Sequence, residues 1–349
     1  VNFNSLIRGI FRIRPPVFGS RLAAVLLALV PALLSAGTAA AAPGGIGPPD
    51  PVTGSGEAIN QIYWVVFVLC ALVFVLVEAA LILFIVRFRR RPTVTDDDEG
   101  PQIHGNTRLE VIWTIIPAVL LAGMAVFVLA RTPAVQAGAD GDEALTVRVE
   151  AHQFYWQYEY PNGAITLDTL RLPVDRPIRL ELLSRDVDHS WWVPELTGKR
   201  DAIPGQTNVL EFEAKRTGTF EGECAEHCGA QHAVMYTQVE VVEQGAFDTW
   251  LRGASDVDLE ELGQNEWEAA CAKCHGAEGE GDLGPPIAGN GTLRNRQALI
   301  GLLSRGQNTP GLDGYMPPVG VGWSGRQYDA LVAYIRSNAK LSGEAEGGG

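Results

Sequence analysis

Two stretches of the chain are apolar almost without a break: residues 62–86, 25 positions with one charge at Glu78, and residues 111–130, 20 positions with none. As helices rising about 1.5 Å per residue, each is long enough to cross about 30 Å of hydrocarbon. A shorter apolar run, residues 22–34, precedes them. From Leu145 the period falls to two: Leu145, Val147, Val149 and Ala151 alternate with Thr146, Arg148, Glu150 and His152. The alternation returns in Ile178, Leu180 and Leu182, in Leu210, Phe212 and Ala214, and in Val239 and Val241. Pro161-Asn162-Gly163 and Pro204-Gly205 supply turns between these runs. Half-buried strands at this spacing predict a β-sandwich or barrel. Near the C-terminus a helical period appears, with Leu331, Tyr334 and Ile335 on one face of residues 328–340.

Charge gives this pattern a direction. Arg8, Arg12, Arg14 and Arg21 precede the 22–34 run, and small residues at 35–42 follow it, the layout of a secretory signal over residues 1–42. An uncleaved anchor is the alternative, although 13 residues are few for a span. Gly and Pro make residues 43–60 a flexible outer lead-in. Arg87, Arg89, Arg90, Arg91 and Arg108 between the long apolar runs mark the cytoplasmic side, so the hairpin at 61–131 returns the chain to the outer face. Tyr63 and Trp64 suit an interfacial anchor; Glu78 reads as a helix or subunit contact and Cys70 as a buried small hydrophobe. The net charge of −14 is uneven: residues 1–131 carry 10 basic and 8 acidic side chains, residues 132–349 carry 17 and 33. An acidic outer half argues against nucleic acid as a partner.

Potential metal ligands are few, with six His, five Cys and three Met, and they are clustered. Cys224, Cys228, His232 and Met235 fall within twelve residues, and His189 stands upstream in Asp186-Val187-Asp188-His189. Two thiolates, a thioether and two imidazoles form a soft donor set suited to copper. A Cys224–Cys228 disulfide leaves His232 and Met235 without a role, and zinc has no use for Met235. The segment resembles the binuclear copper A loop of cytochrome c oxidase subunit II: a His, then Cys-x-Glu-x-Cys-Gly-x-x-His-x-x-Met, matched at every position. The likeness covers roughly residues 57–242 and implies a cupredoxin-like β-sandwich or barrel at 132–242. It also implies that Cys224 and Cys228 bridge two copper ions, with His189, His232, Met235 and the Glu226 carbonyl completing the site. By the same resemblance the Glu226 carboxylate binds a magnesium ion shared with subunit I, and Glu110 stands at the entrance of a proton channel. Read from its residues alone, Glu110 is an acid at a helix N-terminus, favourable to the dipole. His104 reads as a solvated loop residue, and His227 has no assigned role. One departure lies in Ala151-His152-Gln153-Phe154-Tyr155-Trp156, where Phe154 replaces the Trp through which the family receives electrons from soluble cytochrome c.

Cys271-Ala272-Lys273-Cys274-His275 is a c-type haem attachment signature, with Cys271 and Cys274 binding covalently and His275 ligating the iron. Gly263 and Trp267 precede it, Gly284-Pro285-Pro286 follow, and Met316 stands 41 positions after His275 as the second axial ligand. Residues 258–341 resemble a small all-α class I cytochrome c, joined through a partly helical linker at 243–257 and followed by a disordered tail at 342–349. Only His104, His152 and His227 remain, too few for an oxygen-reducing haem–copper site or for the second copper cluster of nitrous oxide reductase. A quinol oxidase subunit II lacks these copper ligands. A standalone membrane-tethered electron carrier needs one span rather than two. The resemblance therefore implies a caa3-type oxidase. In it, electrons pass from an external donor cytochrome or cytochrome bc complex to haem c, copper A and haem a of subunit I, with subunit III also present, in the plasma membrane. An attached donor need not use the soluble-cytochrome docking patch, which would account for Phe154.

Overall fold

The computed structural model describes residues 47–88, 105–136, 144–308 and 315–343. The expected signal segment, Arg89 to Arg91, His104 and residues 344–349 of the tail lie outside these residues. Helix α1 (Gly54–Phe88) and helix α2 (Thr107–Gln136) contain the two apolar stretches, whose most apolar windows hold no buried residue. An all-round apolar helix surface suits lipid, because every backbone group is satisfied within the helix. Cys70, expected to be buried, is exposed on α1, as is Glu78.

The N-terminus of α1 differs from the flexible lead-in expected from its Gly and Pro content. Val52 N–H donates to Glu195 O at 2.8 Å and Lys215 N–H to Val52 O at 2.8 Å, while Thr53 Oγ1 accepts from Gly56 N–H at 3.0 Å. Val52, Thr53, Ser55 and Ala58 are buried. The hydroxyl cap and one apolar anchor thus seat the start of the helix on the outer domain. At the head of α2, Asn106 Oδ1 accepts from Arg108 and Leu109 N–H, and Glu110 Oε1 accepts from Asn106 N–H at 3.2 Å.

The outer domain is a sandwich of two five-stranded sheets. Its strands are β1 (Leu145–His152), β2 (Tyr155–Glu159), β3 (Ile165–Leu167), β4 (Thr169–Pro173), β5 (Pro177–Ser184), β6 (His189–Trp192), β7 (Arg200–Ala202), β8 (Asn208–Glu213), β9 (Gly218–Cys224) and β10 (Tyr236–Val242). One sheet runs β3-β2-β1-β5-β8 and the other β4-β10-β9-β6-β7, with β1 parallel to β5 and β4 parallel to β10. The alternating apolar positions fill the space between them: Val147, Val149, Ala151, Ile178, Leu180 and Leu182 have no exposed surface. Glu150 and His152, expected to face solvent, are buried as well. Tyr155 stacks on the His152 ring at 4.6 Å, and Arg185 forks onto Glu150, so this end of β1 is covered on both sides.

Helix α3 (Gln244–Ala254) closes the sandwich, with Phe247 fully buried and Trp250 edge-on to Tyr160 at 5.0 Å. A helical domain follows. It consists of α4 (Leu259–Glu266), a π-helical turn (Trp267–Ala272) running into α5 (Lys273–His275), α6 (Gly291–Arg294), α7 (Arg296–Arg305), the ribbon β11 (Gln307–Asn308) and β12 (Tyr315–Met316), α8 (Gly325–Ser337) and α9 (Ala339–Ser342). Ser324 and Gln327 form a capping box at the start of α8. Helices α4 and α8 meet at Gly263, where a Cβ atom would stand 2.0 Å from Ala330 O, so only glycine permits the contact. The core beneath them holds Trp267, Leu299, Leu303, Leu331 and Ile335, together with one residue of the sandwich, Tyr155.

Candidate metal centre and haem-attachment site

Strands β6 and β9 pair antiparallel, with Trp191 opposite Cys224, and this brings His189 beside a cysteine 35 residues away. Cys224 ends β9 and Cys228 follows in the loop. A short 3-10 turn (His232–Val234) then returns the chain to Met235 at the foot of β10. The resulting distances are short: Cys224 Sγ to Cys228 Sγ 3.9 Å, Cys224 Sγ to His189 Nδ1 3.8 Å, Cys228 Sγ to His232 Nδ1 3.7 Å and Cys228 Sγ to Met235 Sδ 3.8 Å. The Glu226 carbonyl lies 3.2 Å from Cys224 Sγ, while the Glu226 carboxylate points outward, exposed and 3.8 Å from Lys199 Nζ. All six residues read as copper ligands therefore converge. Both cysteines are free thiols, and Met235, fully buried, turns its sulfur into the cluster. Soft donors of this kind fit copper better than zinc.

The electrostatics favour anionic sulfur. A hydrogen bond shared between the thiols drives Cys224 well below the ordinary cysteine range, although burial opposes this, and drives Cys228 above it. One thiol of the pair is thereby biased toward the thiolate form. Sequence reasoning assigned no role to Asp186, whose Oδ1 lies 2.7 Å from His189 Nε2. Burial disfavours charge on both groups, yet their mutual bond raises the His189 imidazole and lowers the Asp186 carboxyl. Asp186 thus orients Nδ1 of His189 toward the sulfurs, the usual work of a carboxylate behind a metal-ligating histidine. Its spacing three residues before His189 was the available signal, but Asp188 is also acidic and nearer in sequence; it is exposed. His227 is exposed, its ring edge-on to His232 at 5.4 Å.

In the helical domain Cys271 and His275 are buried and Cys274 is half-buried. His275 Nδ1–H donates to Pro285 O at 2.8 Å, which leaves the Nε2 lone pair to face a metal. A Cβ at Gly284 would stand 2.7 Å from the His275 ring, so glycine there makes room for the imidazole. Met316, on β12, is partly buried against the same core as Cys271. Thiols, imidazole and thioether fit a covalently attached haem.

The two sites adjoin each other through contacts that sequence reasoning missed. Lys273 Nζ donates to Phe154 O at 3.0 Å and to Asp168 Oδ2 at 2.6 Å. Gln231 Nε2 donates to Lys273 O at 3.0 Å. Tyr155 OH donates to Val319 O at 2.7 Å and accepts from Trp323 Nε1 at 2.6 Å. An attached donor need not use the soluble-cytochrome docking patch, yet the segment around Phe154 is occupied all the same. The chain's own helical domain sits on it, held through the Phe154 carbonyl, which any side chain at 154 supplies.

A cupredoxin-like sandwich with a soft-donor cluster, a cytochrome c domain against it and two membrane-length helices define a membrane-anchored electron-transfer protein. Residues 41–130 match the family Cytochrome C oxidase subunit II, transmembrane domain, and residues 166–242 match Cytochrome C oxidase subunit II, periplasmic domain. Residues 259–335 match Cytochrome C oxidase, cbb3-type, subunit III. The cytochrome c oxidase subunit 2 of Alkalihalophilus pseudofirmus is 35% identical over 296 residues, 77% of this chain and 84% of that protein. The protein of the same name from Bacillus subtilis is 32% identical over 280 residues, 73% and 76% of the two chains. Among solved structures, the periplasmic domain of subunit II of cytochrome oxidase of Bradyrhizobium japonicum is 31% identical, with 35% of this chain and 97% of that one covered and a TM-score of 0.32. The chain belongs to the cytochrome c oxidase subunit II family and carries a C-terminal cytochrome c domain. It is a subunit II of cytochrome c oxidase, and an electron-input role is consistent with that family.

Proposed function

We propose that this chain receives electrons at haem c, held by Cys271, Cys274, His275 and Met316. It then delivers them through a binuclear copper A centre to haem a of subunit I, where oxygen is reduced to water with proton pumping. The observation that carries this reading is the convergence of Cys224, Cys228, His189, His232 and Met235 within 4 Å steps, beside the haem-attachment segment. Copper held by these residues would supply one-electron chemistry. The protein's part is to hold the donors in a buried pocket, with Asp186 fixing His189 and the sandwich excluding water from the sulfurs. Fusion replaces a diffusional encounter by a high effective concentration.

The exposed Glu226 carboxylate is the group we assign to an interfacial magnesium ion shared with subunit I. Glu110, at the exposed head of α2, is assigned to the proton-channel entrance. Subunit III completes the complex, and a donor cytochrome or bc complex supplies electrons. The arginines flanking the apolar stretches support a reading in which both redox domains lie on the outer face of the plasma membrane. Rapid mixing of the anaerobic, fully oxidised oxidase with a reducing cytochrome tests the order. Haem c is expected to be reduced before the near-infrared copper band bleaches; copper reduction ahead of haem c contradicts the proposal.

A further inference from the structure

Resting on the copper and haem reading above, we infer that Gln231 and Lys273 are positioning residues for electron transfer into the copper centre. They act as a clasp between the haem-attachment segment and the copper loop. Gln231 immediately precedes the copper ligand His232, and its side chain leaves its own domain. Its Nε2 donates to the Lys273 carbonyl at 3.0 Å and approaches Cys274 Sγ at 4.0 Å. It is 8% exposed, so these contacts are made out of water.

Lys273 fastens the same segment from the other side. Its Nζ donates to Asp168 Oδ2 and to the Phe154 carbonyl. Next to Phe154, Gln153 reaches back with Nε2 to the carbonyl of Cys228 at 2.6 Å, and Gln153 N–H donates to Asp186 Oδ2 at 2.6 Å. The carboxylate that orients His189 and the backbone of a bridging cysteine are thus tied to the residues that grip Lys273. A haem thioether at Cys274 and the copper loop are joined by one hydrogen-bonded side chain on one flank and by the 153–154 segment on the other.

Two features separate this clasp from ordinary domain packing. The wider interface is anchored elsewhere, through Tyr155 with Val319 and Trp323 and through Gln157 Oε1, which accepts from Gln327 Nε2 at 2.8 Å. Those contacts do not involve Gln231. Gln231 also turns its amide donor out of its own domain onto a backbone carbonyl of the haem-attachment segment. Its contribution is therefore alignment of Cys274 with His232, carried by the hydrogen bond rather than by area.

The test uses the intact oxidase with Gln231→Leu and Lys273→Met. One electron is injected photochemically, and the oxidation of haem c and reduction of copper are followed together. Midpoint potentials, the copper EPR spectrum and amide exchange over residues 319–323 are measured on the same samples. Gln231→Leu is expected to slow the transfer, because the haem-attachment segment loses its direct tie to the copper loop. Potentials, EPR and exchange should stay as in the parent. Lys273→Met should slow transfer and also raise exchange at 319–323, because the domain loosens; Lys273→Arg should restore both. An unchanged rate in Gln231→Leu, or slowing that accompanies raised exchange at 319–323, overturns the inference. Absence of the copper or haem signal from the parent protein would instead defeat the functional reading on which it rests.

Discussion

The copper domain and the cytochrome domain each bury a glutamate, and the two are treated in opposite ways. Glu150, on β1, receives both arms of the Arg185 guanidinium, and His152 Nε2 lies 3.8 Å away. Burial works against its charge, but the nearby His152 ring and the bonds from Arg185 win and hold the carboxyl at about 2. Glu266, at the end of α4, accepts from Gln327 Nε2 at 2.7 Å, and its second oxygen has no partner among the described residues. Burial there pushes the carboxyl up to about 8. The sheet domain is built to keep a charge, and the helical domain to keep a proton. The contrast follows the supply of partners: Arg185 reaches Glu150 with both arms, whereas Glu266 is met by a single amide, that of Gln327.

The largest consequence concerns Glu266. Its folded value lies above the ordinary 4.5, so the unfolded chain ionises first and stability falls as pH rises from about 4.5 to about 8. Glu266→Gln removes that loss, and at pH 8 the variant should gain up to roughly 5 kcal/mol in the cytochrome domain. Melting of the solubilised protein across this range checks it; a variant whose pH profile matches the parent's breaks the comparison.

Glu150 gives the opposite slope. Its folded value is depressed, so its stabilisation is complete above about 4.5 and is lost as pH falls toward 2. The expected loss is roughly 3 kcal/mol, and Glu150→Gln should flatten it. Unfolding of the sandwich, followed by tryptophan fluorescence from pH 6 down to pH 2, reads this directly, because Trp156 and Trp191 are wholly buried. A smaller effect sharpens the copper side: Asp186→Asn should weaken copper binding by about 10–100-fold, the usual cost of losing the group behind a metal-ligating histidine. Competition with a calibrated chelator measures the change, and parent-like affinity contradicts the role given to Asp186.

The same two regions differ in how much of them could be read in advance. Cys271, Cys274 and His275 are adjacent in sequence, so local spacing reveals their purpose. Cys224, Cys228, His232 and Met235 are nearly as local. His189 lies 35 residues from Cys224, and no local spacing joins it to the others; in the structure, β6–β9 pairing does so. The strand alternation foresaw the inner face of the sandwich but misjudged Glu150 and His152, because what covers them comes from Tyr155 and Arg185. Gly and Pro near residue 50 suggested a loose lead-in, yet Val52 and Thr53 supply an anchor and a cap. The clasp of Gln231, Lys273 and Asp168 was the least legible part. Its members lie 42 to 105 positions apart, and single amide and ammonium groups carry no periodicity.

The central claim is that one chain holds a dicopper centre and a c-type haem side by side. Low-temperature EPR with metal analysis of the purified oxidised oxidase tests it most directly. Haem c should be covalently bound to this subunit. The copper signal should be that of one unpaired electron shared equally by two copper nuclei, with both coppers assigned to this subunit and lost in Cys224→Ser. A mononuclear copper signal, a single zinc ion or a Cys224–Cys228 disulfide in this subunit would contradict the account.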